Sequence, residues 1–151
     1  MRSILIDTNL LVLLLLGNLD RNEVGKNKRI KRYSVNELDL LVSFATQFPR
    51  HVSTPHVLTE TSNLIGAGER EEVRGATSAF AQYCMQVDEQ FCEARVISQG
   101  RWLEKLGLTD AAIIEKLVPK GVLVLTDDYK LAGHINFLGG EAVNIWHAYR
   151  P

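Results

Sequence analysis

Two short aliphatic runs in this chain lead straight into aspartate, and that pattern restricts the fold more than anything else in it. Residues 3–9 read Ser3-Ile4-Leu5-Ile6-Asp7-Thr8-Asn9, and residues 121–128 read Gly121-Val122-Leu123-Val124-Leu125-Thr126-Asp127-Asp128. Runs this short, made of aliphatic and β-branched residues, predict buried strands. A carboxylate at the end of a buried strand is costly unless it caps a helix, is paired or binds a cation. In an open α/β sheet the carboxyl edge of the strands is also where ligands bind.

The rest of the chain alternates helices with strands. A helix over 8–16 is expected to stop at Gly17-Asn18. Ser34-Val35-Asn36-Glu37 is a capping-box pattern, and it opens a helix to about residue 48 with Leu38, Leu41, Val42 and Ala45 on one face. His51-Val52-Ser53 reads as a second strand. Thr54-Pro55 then starts a helix over 55–65, with threonine at the cap and proline in the first turn. Helices are expected over 69–85 and 91–106, and residues 86–89 give only a weak strand signal. Thr109 is placed to cap a helix with Asp110 in its first turn. A helix over 129–138 and a strand over 142–146 complete the pattern. Strands alternating with helices predict a parallel sheet covered on both faces, a three-layer αβα domain. A length of 151 residues suits one such domain.

Charge and cysteine content narrow the function classes. A net charge of -1 and a pI near 6.4 exclude a general basic field, so any nucleic-acid surface must be local. The marked basic run is Lys26-Asn27-Lys28-Arg29-Ile30-Lys31-Arg32, inside an aperiodic loop over 17–33. Cys84 and Cys92 make neither a disulfide framework nor a zinc spacing, and are expected to be reduced and buried in a cytoplasmic protein. Asp7 and Asn9 interrupt the apolar N-terminal stretch, and the uninterrupted run over 10–16 is too short to span a bilayer.

Parallel strands share a direction, so Asp7 and Asp127-Asp128 must lie on one edge of the sheet. The helix carrying Asp110 must begin near that edge to deliver the chain to the opposite one. Glu60, in the second turn of its helix, leans back toward the same edge. Each acid has a plain structural role open to it: Asp7 and Asp128 as helix caps, Asp110 at a helix dipole, Glu60 as a solvated side chain. Their convergence without a compensating Lys or Arg in these motifs favours a hard divalent cation, Mg²⁺ or Mn²⁺.

Asp7-Thr8-Asn9, the Thr54-Pro55 helix with Thr59-Glu60, Thr109-Asp110-Ala111, and Leu125-Thr126-Asp127-Asp128 together resemble the PIN-domain nucleases. That family includes the toxin nucleases of bacterial toxin–antitoxin pairs. Order and separations agree over essentially the whole chain, although the loop over 17–33 is longer than the short turn usual in compact toxins. The resemblance implies a three-layer αβα fold, a Mg²⁺ or Mn²⁺ site and hydrolysis of RNA. It assigns Asp7, Glu60, Asp110 and Asp128 to the catalytic acids, with Asp7, Asp110 and Asp128 as metal ligands. Thr8, Asn9 and Thr126 match its polar supports, and Asp127 takes the variable place of the Thr-x-Asp pattern. Expected partners are RNA and, on the toxin reading, an antitoxin protein or a second copy of the chain. The rival expectation is a non-catalytic RNA-binding or protein-interaction module on the same fold.

Other motifs carry less. His56 and Glu60 are four apart, but nothing completes a zinc motif, and His134 and His147 lack supporting spacing. Trp102, Trp146, Phe80 and Phe91 are expected in the core or at a subunit contact. No glycine loop suits a phosphate, and Asn9 stands where an aspartyl-phosphate phosphatase would need its second Asp. The basic loop must climb from the end of the first helix back toward the carboxyl edge. That route makes Lys26, Lys28, Arg29, Lys31 and Arg32 candidates for a phosphate clamp, against a simple solvated linker.

Overall fold

The computed structural model describes residues 2–148. Five parallel strands, β1 (Ser3–Ile6), β2 (Arg50–Ser53), β3 (Asp88–Glu89), β4 (Leu123–Thr126) and β5 (Glu141–Asn144), form one sheet in the order β3-β2-β1-β4-β5. Every residue of β1 and β4 is buried, as expected of strands covered on both faces. Their register pairs Ile4 with Leu123 and Ile6 with Leu125, and the Asp7 amide continues the ladder to the Leu125 carbonyl at 2.9 Å.

The chain moves outward from β1 to β3, then crosses back to lay β4 on the other side of β1. With right-handed crossovers, connections before and after that reversal fall on opposite faces. The first layer holds α1 (Thr8–Leu19), α2 (Val35–Gln47), α3 (Pro55–Ile65) and α4 (Ala76–Gln86), with α1 packed against the other three. The later connections supply α5 (Ala94–Ser98), α6 (Trp102–Leu106), α7 (Leu108–Ala112) and α8 (Tyr129–Phe137). The sheet is thus sandwiched as an αβα domain, and the crevice between the ends of β1 and β4 is its topological switch point.

Several elements depart from the sequence expectations for identifiable reasons. Helix α1 runs past Gly17 to Leu19, because a glycine there lets the Leu38 side chain close in where a Cβ would lie 2.9 Å from it. The helix expected over 69–85 is broken: Gly75 takes φ +91°, and only Ala76–Gln86 is α-helical. The helix expected over 91–106 is two short ones, separated by the turn at Gly100-Arg101. Thr109 does not cap α7, since Gly107 holds the N-cap position one residue before Leu108. Beyond α7 the chain continues through a π-helical turn, Ile113–Leu117, whose Ile113, Ile114 and Leu117 are buried.

The basic loop is folded rather than extended. A 3-10 turn at Arg21–Glu23 opens it, the Gly25 amide donates to the Ile30 carbonyl at 3.2 Å, and Ile30 and Tyr33 are buried in the core. Cys84 and Cys92 are free but half-buried, not fully buried as expected. Of the aromatics expected in core or contact positions, Trp102 is buried and Phe80 half-buried, while Phe91 stands 70% exposed.

Candidate active site

The backbone places Asp7 where β1 stops and α1 begins, and the side chain is nearly closed off from solvent at 8% exposure. Its Oδ1 accepts the Thr8 backbone N–H at 2.8 Å, and its Oδ2 accepts the Thr126 hydroxyl at 2.7 Å. The same Thr126 oxygen accepts the Asp128 backbone N–H at 3.0 Å, so one hydroxyl ties the ends of β1 and β4 together. Burial pushes the Asp7 carboxyl up to about 6, against the pull of those two donors, with Asp127 and Asp128 adding repulsion.

Asp128 caps α8 through Oδ1, which accepts from Lys130 N–H at 2.8 Å and Leu131 N–H at 3.3 Å. Its other oxygen has no hydrogen-bond partner among the described residues, so capping does not use up the carboxylate. Glu60, on the exposed side of α3, is held from both sides: Thr109 donates to Oε1 at 2.6 Å and Thr8 to Oε2 at 3.3 Å. The freed Thr109 hydroxyl thus joins α7 to α3. Asp110, half-buried on α7, is pushed up to about 7 by burial first and then by the charges of Asp7, Asp128 and Glu60. The charges of Asp7, Asp128 and Glu60 thus bear on Asp110, but among the described residues the four acids form no group of three side chains that could hold a metal. Among the described residues none of these four carboxylates forms an ion pair.

Asp127 points elsewhere. Its Oδ2 accepts from Arg32 Nη2 at 2.5 Å and from the Tyr33 hydroxyl at 2.6 Å, while Asn9 Nδ2 reaches Oδ1 at 3.5 Å. Tyr33 in turn stacks on Trp146 with ring centroids 5.3 Å apart, and burial together with Asp127 drives its hydroxyl pKa upward. The basic loop therefore returns to the carboxyl edge and is latched there. Lys28, Arg29, Lys31 and Arg32 line, with Asn9, Val12 and Leu64, a cavity of about 240 Å³. Lys28 and Arg29 also pair with Glu72 at 3.4 Å, and Lys26 is exposed and does not line this cavity. Of the histidines, His56 lies 3.9 Å from Cys92 Sγ and His134 packs edge-on against Trp102, and among the described residues neither has a hydrogen bond or ion pair to the acids.

The donor set suits a hard cation in chemistry: it is all oxygen, and its charges repel one another with no basic side chain among them. Several of those oxygens are meanwhile turned onto threonine hydroxyls and backbone amides, and among the described residues no three acidic, histidine or cysteine side chains form a ready ligand cluster. Sequence reasoning missed Tyr33 as a partner of Asp127, and the Thr109–Glu60 hydrogen bond, because both partnerships join residues far apart in the chain. No family model and no curated protein matches the chain. No helix among the described residues is long and apolar enough to cross a membrane.

Proposed function

We propose that this chain is a metal-dependent endoribonuclease of the PIN type, acting at the crevice between the ends of β1 and β4. The observation that carries the reading is Asp110, whose ionisation is opposed by burial and then by Asp7, Asp128 and Glu60, while among the described residues no cationic side chain pairs with any of the four. Sites in which several carboxylates perturb one another inside a cleft are enriched in function. The order of the acidic motifs, which resembles that of the PIN nucleases, supplies the reaction class.

Asp7, Asp110 and Asp128 would hold Mg²⁺ or Mn²⁺. Such an ion supplies a Lewis acid that acidifies water and offsets charge on the phosphoryl oxygens. The chain's own residues prepare the place: Thr126 fixes the Asp7 carboxylate, Thr8 and Thr109 fix Glu60, and the capping bonds of Asp128 leave its second oxygen unengaged among the described residues. Glu60 is the acid least tied to the proposed ligand set and suits orientation of a water. The loop cations bind the RNA backbone beside it. On the toxin reading a small antitoxin protein is the regulatory partner, and two free cysteines fit a reducing cytoplasm.

The test is cleavage of structured and single-stranded RNAs by purified protein in EDTA, Mg²⁺ and Mn²⁺, beside Asp110→Asn. Cleavage that needs the metal and vanishes in the variant supports the reading. Equal cleavage in EDTA, or none in any metal, overturns it.

A further inference from the structure

Three consecutive residues at the end of β4 face three different surroundings. Asp127 holds the basic loop, Asp128 faces the acids, and Tyr129 opens α8 at the lip of an open cleft of about 710 Å³. That cleft lies between α6 and α8. Its cations are Arg101, Lys105 and Lys130, and no acidic side chain lines it. In a protein of net charge -1 this is a local concentration of positive charge beside a set of acids.

The cleft is also aromatic. Tyr129 is 69% and Phe137 87% exposed, an unusual position for large rings. They stand eight residues apart on α8, on one face and about 12 Å apart along its axis. Gly133 lies midway between them, and a side chain there would meet nothing within 4 Å, so the space between the rings is open. The floor is Trp102, buried against His134, with the Arg101 guanidinium 4.6 Å and the Lys105 ammonium 5.8 Å from its ring centre. Those contacts hold the two cations over the floor of the cleft. They also leave Tyr129 and Phe137, not Trp102, as the rings free to stack.

Exposed rings spaced along a groove whose charges are all positive suit a flexible polyanion with flat side groups. We infer that this cleft binds single-stranded RNA, with Tyr129 and Phe137 stacking on bases and Arg101, Lys105 and Lys130 meeting phosphates. The inference rests on the nuclease reading for its direction, since the strand would run from the acids past Tyr129 into the cleft. A second copy of the chain would instead prefer an apolar face without clustered like charge.

The experiment is anisotropy titration of a fluorescein-labelled ten-nucleotide oligouridine with full-length protein in EDTA, where binding is read without cleavage. Tyr129→Ala/Phe137→Ala should weaken binding about tenfold or more and leave the salt slope unchanged, because stacking releases no counterions. Tyr129→Phe/Phe137→Tyr should restore it. Arg101→Ser/Lys105→Ser/Lys130→Ser should flatten the slope of log K against log salt by about 2, at about 0.7 for each phosphate no longer neutralised. In Trp146→Phe protein, oligouridine should quench Trp102. Parental affinity in the double alanine variant overturns the inference, as does a loss of self-association by that variant in ultracentrifugation without a loss of RNA affinity. If the parent binds oligouridine through the cleft yet cleaves nothing with Mn²⁺, the nuclease reading falls and the cleft stands. If it cleaves while the double alanine variant binds normally, the cleft falls alone.

Discussion

Thr126 donates its hydroxyl to Asp7 at 2.7 Å across 119 residues of sequence. The same oxygen receives the amide of Asp128, so one small side chain sets the spacing of two acids on neighbouring strands. Thr126→Val keeps the shape and removes both bonds. With Asp7 and Thr126 both buried, the Asp7 oxygen left without its donor should cost about 1–3 kcal/mol in stability, seen in urea unfolding, whereas the amide of the exposed Asp128 can turn to water. An unchanged midpoint would mean the hydroxyl is incidental.

Charge repulsion in the acid set predicts that Asp110→Asn stabilises the metal-free protein. At pH 8 the melting temperature in EDTA should rise by a few degrees, the response of a domain this size to about 1 kcal/mol. Calorimetric titration should show Mn²⁺ binding to the parent and much weaker binding to Asp110→Asn and Asp7→Asn. Parental Mn²⁺ affinity in both variants would place the metal elsewhere.

The pH dependence has a definite sign. Asp110 and Asp7 are pushed up to about 7 and about 6 from an ordinary 3.8, so between those values the folded protein binds more protons than the unfolded chain. Their contribution is therefore most favourable below about 4 and is lost as pH rises through 6 to 7. Groups shifted the other way, such as Asp39 and Asp88 beside their arginines, act only near their own lower range. Melting in EDTA from pH 5 to 8 should show the parent losing stability relative to Asp110→Asn. Parallel curves for the two proteins would contradict the shift.

Asp127 and Asp128 should separate cleanly. Asparagine caps a helix as well as aspartate does, so Asp128→Asn should keep α8 while lowering cleavage by about a hundredfold or more. Asp127→Asn removes the charge that Arg32 and Tyr33 share, and should loosen the loop more than it slows cleavage. Limited trypsin digestion at residues 21–32 measures the first effect and initial rates the second. The opposite ranking of rates would reverse the roles assigned to the two.

The loop cations differ in how free they are. Lys28 and Arg29 share Glu72, whereas Lys31 lines the same cavity with no ion pair among the described residues. Replacing Lys28, Arg29 and Lys31 with serine should weaken RNA binding and flatten its salt slope, with Lys31→Ser alone accounting for about 0.7 of it. An unaltered slope would leave this loop as a protein-docking surface.

Much of this geometry was readable from local pattern. Strands β1 and β4, the Ser34-capped α2 and the bounds of α3 follow from apolar runs, a capping box and Thr54-Pro55. The shared edge of Asp7 and Asp127-Asp128 was legible because parallel strands fix which ends coincide. Strand β3 was not, since Asp88 and Glu89 have little intrinsic strand preference and are held by pairing with Val52 and Ser53. Nor was the latch on Asp127: a basic run looks solvated until Ile30 and Tyr33 are seen in the core. The short helices around Gly100 and Gly107 depended on tertiary packing that periodicity does not report.

The strand order has a consequence for synthesis. Strand β1 is translated well before its sheet neighbour β4, so Asp7 lacks the Thr126 hydroxyl until residue 126 has been translated. Asp110 likewise gains Asp128 as a neighbour only at that late point. A nascent chain, or any product that stops short of β4, holds the acids as separate groups on an unfinished sheet. Assembly of the acid set therefore waits on the arrival of β4, and only the edge strand β5 and the helix that leads to it remain to be added afterwards.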